Sequence, residues 1–292
     1  MKSSTSLQNL ANLSTATYAT PAVPTVRLLG HRGARGEFIE NSEYGFKNLQ
    51  QFYLNTLSNH CTHLNNKPQR QLVGIEFDVQ LTSDGVLVVV HDETLERFYR
   101  LQAHINELSY IEIKKLTQPI LPIIRLQDLL PLLSKYPRIE LEIKTHSRSQ
   151  PQKIVDALIK TFASIKNNDN DIDLRHLPIT LTSFDENLHV CLQRHTALAS
   201  FARGLLIEKF DNPEKINLAK RLGCGHLGLY YAAITPKIIA SCKKAHMTTS
   251  AWTVNEAQHI DYLASIGVDF IITDYPCLYS KYNKLPIHKN ES

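Results

Sequence analysis

The sequence lacks the features that mark membrane-embedded, disulfide-rich or nucleic-acid-binding proteins. No apolar run approaches the roughly 18 residues that a membrane-spanning helix requires. The five cysteines among 292 residues are scattered and form no CxxC pair, so we expect reduced thiols and no cysteine-bound zinc. The net charge of +4 is mild, and no dense Lys/Arg run indicates a nucleic-acid partner. These absences favour a soluble globular protein, which we expect in the cytoplasm.

Three segments differ in composition from the rest of the chain. Met1–Pro24 is rich in Ser, Thr, Ala and Asn and holds no apolar stretch like that of a signal peptide, so we expect a flexible leader. Lys281–Ser292 is predicted to be a polar tail. The polar stretch Asn55–Arg70 contains two histidines and a cysteine, but we interpret it as an exposed loop rather than a metal site. Residues 25–280 carry no linker-like interruption and therefore predict one domain.

Short apolar segments alternate with longer helical ones, the order expected of βα units around a mainly parallel sheet. The predicted strands are Val26–Gly30, Leu72–Gln80, Val86–His91, Ile139–Lys144, Ile179–Ser183, Gly204–Ile207, His226–Leu229, Thr248–Thr253 and Asp269–Thr273. The predicted helices are Ser42–Leu57, Leu126–Lys135, Gln152–Ser164, Glu186–Arg194, Pro213–Leu222, Pro236–Ala245 and Glu256–Ser265. This pattern predicts an α/β fold, a (β/α)8 TIM barrel.

The predicted barrel is irregular in one place. The strand predictions exceed by one the eight places of such a barrel, so one segment lies outside the closed sheet or is no strand. The second and third predicted strands are joined only by Leu81–Gly85, in which Ser83-Asp84-Gly85 is a turn signal. Neighbouring parallel strands need a crossover of about a dozen residues or more. We therefore expect an irregular (β/α)8 barrel.

Alternation within the second predicted strand is the clearest chemical signal. Successive strand side chains point to opposite faces, so Glu76 and Asp78 are predicted to point together into the barrel. The opposite face would meet the covering helices through Val73, Ile75, Phe77 and Val79. Carboxylates inside a barrel are costly unless they are paired or bind a cation. This strand therefore indicates a buried charged site.

The fourth predicted strand repeats the pattern, with Glu140, Glu142 and Lys144 on one face. A half-exposed antiparallel strand is the alternative for either pattern alone, but two such strands in a βα chain favour a site. Glu76, Asp78 and Glu142 can converge at one barrel mouth, and carboxylate oxygens suit Mg²⁺ or Ca²⁺. Lys144 would offer a positive charge to a phosphate there, or would neutralise a neighbouring carboxylate.

Two histidines are predicted to end strands, His31 the first and His91 the third. Catalytic residues of this architecture come from the carboxyl ends of the strands. Imidazole titrates near neutral pH, so one histidine can accept a proton while the other donates one. Arg32 next to His31 offers a planar fork that grips phosphate oxygens. Each histidine alone would be interpreted as structural, but together with the carboxylates they favour an acid–base pair.

Ordered motifs from Leu28 to Pro276 resemble the glycerophosphodiester phosphodiesterases. The opening Gly30-His31-Arg32-Gly33 with Glu40-Asn41-Ser42 resembles the HRG…PEN[TS] of that family. Two longer segments resemble its E-x-D-V-x-x-T-x-D-G and H-D-x-T-L-x-R motifs, and they are residues 76–85 and 91–97. Further similar segments are Leu141-Glu142-Ile143-Lys144, Ser183-Phe184, Ala251-Trp252-Thr253-Val254-Asn255 and Gly267–Asp274.

The resemblance implies roles for individual residues. It implies a divalent cation, Mg²⁺ or Ca²⁺, bound by Glu76, Asp78 and Glu142, and an acid–base pair of His31 and His91. It further implies a substrate-binding set of Arg32 and Lys144 at the phosphate, Glu40 near Arg32, and Trp252 at the glycerol. The implied reaction is metal-dependent hydrolysis of a small glycerophosphodiester to an alcohol and sn-glycerol 3-phosphate, through a cyclic phosphate.

Departures from the family pattern fall on the substrate side. Ile39 stands where proline is usual, and Phe98-Tyr99-Arg100-Leu101 follows Arg97 where the family commonly continues with Thr-Thr and glycines. The connection to Glu142 leaves no room for the small extra domain of some members. These departures leave the alcohol of the substrate open. A lysophospholipase D- or phospholipase C-like lyase, which would act on lysolipids or phosphoinositides with the same two histidines and release a cyclic phosphate, is an alternative. An inactive barrel that binds phosphorylated ligands is an alternative of another class.

Overall fold

The computed structural model describes residues 25–58, 70–146, 149–165 and 177–281. The predicted leader, the predicted tail beyond Lys281 and most of the predicted loop Asn55–Arg70 lie outside these residues. The strands are β1 (Val26–Gly30), β2 (Arg70–Leu81), β3 (Leu87–Val89), β4 (Arg138–Ile143), β5 (Ile179–Ser183), β6 (Ala202–Ile207), β7 (His226–Tyr230), β8 (Thr248–Trp252) and β9 (Phe270–Thr273).

The strands close into a barrel, as the alternation predicts. The sheet has the order β1-β9-β8-β7-β6-β5-β4-β2-β3, and β1 also pairs with β2. Every pair is parallel except β2 with β3, so the parallel strands without β3 form a closed eight-stranded TIM barrel. The strand outside the barrel is therefore β3.

The hairpin of β2 and β3 corrects the prediction that His91 ends a barrel strand. Val79 pairs with Val89 in an antiparallel register, and β3 ends at Val89. The turn between the two strands is too short for a parallel crossover, so the chain folds straight back. The hairpin returns the chain beside the acidic strand, where the Val90 N–H donates to the Asp78 carbonyl at 3.2 Å.

The helices surround the barrel and agree with the predictions in most places. They are α1 (Glu43–Ser58), α2 (Glu96–Tyr99), α3 (Tyr110–Thr117), α4 (Leu126–Leu129), α5 (Pro151–Ile165), α6 (Glu186–Gln193), α7 (Glu214–Arg221), α8 (Pro236–Lys244), α9 (Ala257–Ser265) and α10 (Pro276–Lys281). The predicted helix Leu126–Lys135 is shorter, because α4 gives way to a 3-10 turn over Leu130–Leu133, which contains Pro131. No described helix is long and apolar enough to cross a membrane.

The outer face of β2 is buried against the helices, with one exception. Ile75, Phe77 and Val79 belong to the core cluster that α1, α4 and α5 cover, and the Phe77 and Phe46 rings lie 5.7 Å apart. Val73 was predicted on this face, but it packs with Leu29 in a separate inner cluster. The pairing of β1 with β2 shifts register next to Val73, and this bulge turns its side chain away from the helices.

Candidate active site

A cavity of about 330 Å³ lies at the carboxyl end of the barrel. Its lining contains residues from β2, β4, β5, β6, β8 and β9 and from the turns after β1 and β3. The lining residues that the sequence predicted are His31, Arg32, Glu76, His91, Glu142, Lys144 and Trp252. The chain therefore brings together in one cavity most of the residues that the sequence analysis placed in a site.

The predicted acidic cluster forms at the wall between β2 and β4. Asp78 pairs in register with Glu142, and Glu76 precedes Asp78 by two residues on the same face. Each of the three offers a carboxylate oxygen, and these oxygens lie within 4.8 Å of one another. Asp78 is 1% exposed and Glu76 5%, so water screens their charges little. Parallel pairing of two alternating strands therefore produces the cluster.

The carboxylates of the cluster repel one another, which fits a cation. Burial and the charges of Asp78 and Glu142 raise the pKa of Glu76 well above its usual value. Burial and the Asp78 charge raise the pKa of Glu142 to about 7. Burial also raises the pKa of Asp78, but the charges of Lys144 and Arg32 outweigh it and lower that pKa overall. Three hard oxygen donors in this state suit Mg²⁺ or Ca²⁺.

Two neighbours hold the cluster in place. Lys144 Nζ lies 2.6 Å from Glu142 Oε1 and 3.2 Å from Asp78 Oδ1. Asn41 Nδ2 donates to Asp78 Oδ2 at 3.0 Å. No role was predicted for Asn41 from the sequence, although it lies in the motif Glu40-Asn41-Ser42. The contact of Lys144 with Glu142 was anticipated as one of two alternatives, and Lys144 also lines the cavity.

His31 follows β1 directly and is fixed at both ends. Its main-chain N–H donates to the Thr273 carbonyl at 2.9 Å, and its ring Nδ1 donates to Asp274 Oδ1 at 2.6 Å. Its Nε2 lies 3.9 Å from Glu76 Oε2, on the cavity side. Burial lowers the pKa of His31, and the hydrogen bond to Asp274 opposes that shift in part. The histidine therefore presents Nε2 to the site.

Asp274 is a site residue that the sequence analysis missed. Its Oδ2 accepts from Asn255 Nδ2 at 2.8 Å, which orients the carboxylate toward His31. Burial raises the pKa of Asp274, but the hydrogen bond from His31 and nearby positive charge lower it overall, so it stays ionised. The signal available was its place directly after β9, where a barrel strand delivers a side chain to the mouth.

His91 has a similar partner in the next residue. Its Nδ1 donates to Asp92 Oδ1 at 2.8 Å, and its side chain is 31% exposed against 13% for His31. Burial lowers the pKa of His91, while the charge of Asp78 raises it in part. Each histidine thus donates from Nδ1 to an aspartate, which leaves Nε2 of both rings for proton exchange.

Arg32 is tied to the cluster through both its main chain and its side chain. Its N–H donates to Glu76 Oε2 at 3.1 Å, and its guanidinium donates to Glu40 Oε1 at 3.1 Å. Glu40 also accepts from Arg97 at 2.6 and 2.9 Å, and Arg97 hydrogen-bonds Asp92 as well. A row of ion pairs therefore connects the segments that carry the two histidines, and it runs from Arg32 through Glu40 and Arg97 to Asp92.

Trp252 closes the opposite side of the cavity at the end of β8. Its ring lies 5.6 Å from that of Phe184 in an edge-on contact and 5.5 Å from that of Tyr230. Phe184 is 46% exposed and Tyr230 37%, so this aromatic wall opens to solvent. The wall therefore offers apolar surface on the side of the cavity away from the acidic cluster.

Comparison with known proteins identifies the family. The Glycerophosphoryl diester phosphodiesterase family matches residues 69–278. A glycerophosphodiester phosphodiesterase of Caldanaerobacter subterraneus subsp. tengcongensis is 30% identical over 212 residues, covering 70% of this chain and 82% of that protein. A mouse lysophospholipase D is 24% identical over 298 residues, covering 88% and 81%.

Solved structures share the fold. An Oleispira antarctica phosphodiesterase in complex with the product sn-glycerol-3-phosphate superimposes with a TM-score of 0.70 at 20% identity, covering 89% of this chain and 96% of that one. A glycerophosphodiester phosphodiesterase from Parabacteroides distasonis gives a TM-score of 0.67 at 22% identity, covering 88% and 97%. With the family match over most of the barrel, this chain belongs to the glycerophosphoryl diester phosphodiesterase family.

Proposed function

We propose that this protein hydrolyses small glycerophosphodiesters to an alcohol and sn-glycerol 3-phosphate, with one bound divalent cation. Family membership supports phosphodiester hydrolysis. The observation that carries the proposal is the pairing of two aspartate-bound histidines, His31 and His91, with a buried three-carboxylate cluster in one cavity. A binding module would need no such acid–base pair, which argues against the inactive barrel.

The charged wall would bind the phosphate. Glu76, Asp78 and Glu142 would hold Mg²⁺ or Ca²⁺, which supplies polarisation of the phosphoryl oxygens when bound. Arg32 and Lys144 line the same cavity and would contact the remaining phosphate oxygens with charged hydrogen-bond donors. Since Glu40 and Asp78 already hold the Arg32 guanidinium, that donor is oriented before substrate binds.

The two histidines would share the proton transfers. By the family resemblance, one Nε2 removes the proton of the neighbouring glycerol hydroxyl, whose oxygen attacks phosphorus to form a cyclic phosphate. The other histidine gives its proton to the oxygen of the departing alcohol. Water then opens the ring with the two roles reversed, and sn-glycerol 3-phosphate leaves. The aspartate on each Nδ1 would stabilise whichever ring is charged.

Release of a cyclic phosphate from lysophospholipids is the second candidate function. The exposed aromatic wall of Phe184, Tyr230 and Trp252 favours it, because an acyl chain on the glycerol would find apolar surface there. The products separate the two candidates, since hydrolysis to completion yields sn-glycerol 3-phosphate and the lyase ends at the cyclic ester.

A coupled assay for released glycerol 3-phosphate tests the proposal. Glycerophosphocholine, -ethanolamine, -glycerol and -inositol are each offered with Mg²⁺, with Ca²⁺ and with excess chelator. We expect turnover that chelator abolishes, and loss of most turnover in His31→Ala and His91→Ala. His259→Ala, on an exposed face of α9, is the matched control. Full activity in chelator would exclude the cation, and near-normal turnover of either active-site variant would exclude the acid–base pair.

We further propose that the enzyme works in a reducing compartment, the cytoplasm. Cys224 and Cys242 are buried free thiols, and burial raises their pKa values to about 12 and about 11. Such thiols are packing residues rather than nucleophiles. Subcellular fractionation of the native protein tests the location.

A further inference from the structure

Gln80 continues the inward-facing row of Glu76 and Asp78 along β2. Its side chain is 1% exposed, and it lies where β2 pairs with the hairpin strand β3. A neutral amide at this depth must satisfy its hydrogen bonds inside the protein. What the amide contacts therefore shows what the residue does.

The Gln80 amide nitrogen faces the backbone of the turn that carries His91. Its Nε2 lies 2.7 Å from the Asp92 carbonyl, 2.9 Å from that of His91 and 3.1 Å from that of Val90. Two amide hydrogens are thus shared among three successive carbonyls. One side chain of a barrel strand holds the main chain on both sides of the histidine.

His146, after β4, contacts the oxygen of this amide. Its Nε2 lies 2.7 Å from Gln80 Oε1, and because an amide oxygen only accepts, His146 must donate. A flipped amide would point its oxygen at the three main-chain carbonyl oxygens, none of which can donate to it. His146 Nδ1 also lies 3.5 Å from Glu93 Oε1, which belongs to the turn that carries His91. His146 therefore contacts both the Gln80 amide and the turn that this amide holds.

The hairpin explains why this turn needs a tether. His31 follows a barrel strand directly, whereas His91 follows the three-residue strand β3, which lies outside the barrel, pairs with β2 and has one further bridge from Val88 to Arg125. The side chain of His91 is also the more exposed of the two. A misplacement of about 1 Å costs on the order of 10²-fold in rate, so a catalytic group here needs support from the barrel.

We propose that Gln80 and His146 are positioning residues for His91: Gln80 holds the main chain of the turn and His146 holds the Gln80 amide. The kinetic part of this proposal rests on the proposed function, in which His91 exchanges protons with substrate. The structural part, that His91 moves when the Gln80 amide is removed, does not depend on the proposed function.

Gln80→Met keeps the length of the side chain and removes the donor. We expect kcat to fall on the order of 10²-fold with KM changed less than about threefold. Losses are compared on glycerophosphocholine and on a 4-nitrophenyl glycerophosphodiester, whose leaving group needs no proton. The fall in kcat on the first substrate, divided by the fall on the second, should be the same in Gln80→Met as in His91→Ala and different from that in His31→Ala. A general loss of stability would not produce this agreement with His91→Ala.

Rescue separates positioning from packing. His146→Leu removes the donor to Gln80 and should lower kcat, while His146→Gln keeps a donor and should restore most of it. The double variant Gln80→Met/His146→Leu should lose little beyond Gln80→Met alone, since both act through one contact. Gln118→Met, at the exposed residue that follows α3, is the matched control. Wild-type kcat in Gln80→Met, with an active parent enzyme, would overturn this proposal and leave the proposed function standing.

An NMR measurement without substrate tests the position of His91 even if the wild-type protein shows no turnover on the substrates offered. The histidine Cε1 resonances are assigned by His31→Ala and His91→Ala in ¹³C-labelled protein. In Gln80→Met the His91 resonance should shift or broaden while that of His31 stays in place. An unchanged His91 resonance would refute the proposal whatever the enzyme hydrolyses.

Discussion

Asp274 accepts a hydrogen bond from His31 Nδ1 at 2.6 Å, although the two residues are 243 positions apart in the chain. Closure of the barrel brings them together, because β1 and β9 are neighbours and each delivers the residue that follows it. The contact fixes the ring and its tautomer, which leaves Nε2 toward the cavity. It also sets the charge that the ring can carry.

We predict that Asp274→Asn lowers kcat on the order of 10²- to 10⁴-fold, because a neutral amide no longer stabilises the charged ring. The hydrogen bond to Asp274 raises the pKa of His31, so its loss should move the His31 limb of the pH–rate profile to lower pH. Asp211→Asn, at an exposed site, is the matched control. Near-normal kcat with an unmoved profile would contradict the role.

Cation binding should be visible without substrate. Mg²⁺ or Ca²⁺ at 100 times its Kd would stabilise the fold by about 2.7 kcal/mol, which thermal unfolding detects. The pKa of Glu142 is about 7 without cation, so binding must displace its proton at lower pH, and the stabilisation should shrink from pH 8 to pH 6. Glu142→Gln should reduce the stabilisation by the cation, and the α7 variant Glu214→Gln should leave it unchanged. A cation-induced shift of the unfolding temperature in Glu142→Gln as large as that of the wild type would contradict the site.

Arg97 should matter for activity more than for stability. Its guanidinium bonds Glu40 and Asp92, but its side chain is 43% exposed, so these ion pairs contribute less than about 1 kcal/mol to folding. Arg97→Lys keeps the charge and loses the fork geometry. We expect kcat/KM to fall on the order of tenfold and the unfolding midpoint in urea to stay unchanged. Arg194→Lys is the control, and an unchanged kcat/KM would show that the link to Asp92 is dispensable.

The acidic cluster could be predicted from the sequence because it depends on local geometry. Alternation in a strand puts Glu76 and Asp78 on one face, and parallel pairing with an equally alternating strand adds Glu142. Burial of Phe77 against the helices follows from the same rule. Val73 departs from it because a register shift against β1 is a property of two strands, which one strand does not reveal.

Two residues that support the site, one at His31 and one at Asp78, were missed for a related reason. Asp274 and Asn41 act through contacts between segments far apart in the chain, and a sequence pattern has no term for such pairs. The strand β3 was predicted but its antiparallel direction was not, because its apolar run has the same composition as a buried parallel strand. The short turn before it was the signal, and it indicated an irregularity without its direction.

Glu140 shares the inward face with Glu142 but has a different function in the fold. Its carboxylate accepts from Arg138 Nη2 at 2.8 Å and from Ser250 Oγ at 3.0 Å, and it lies 3.3 Å from His226 Nε2. Burial raises its pKa, but the charges and hydrogen bonds of His226 and Arg138 outweigh burial and lower the pKa to about 2. The residue is therefore ionised inside the barrel, with partners that replace water.

This pairing predicts the acid limit of stability. The folded pKa of about 2 lies below the usual 4.5, so the contribution of Glu140 is complete above pH 4.5 and is lost as pH falls toward 2. Glu140→Gln should lower the free energy of unfolding at pH 7 by roughly 3 kcal/mol, since it leaves Arg138 without its counter-charge. The difference in the free energy of unfolding between Glu140→Gln and the wild type, measured by urea unfolding, should become smaller at pH 4 and smaller again at pH 3. The exposed variant Glu186→Gln should have the free energy of unfolding of the wild type at each pH. A difference that stays constant with pH would show that Glu140 contributes through packing alone, because only an ionised carboxylate makes the stabilisation depend on protons.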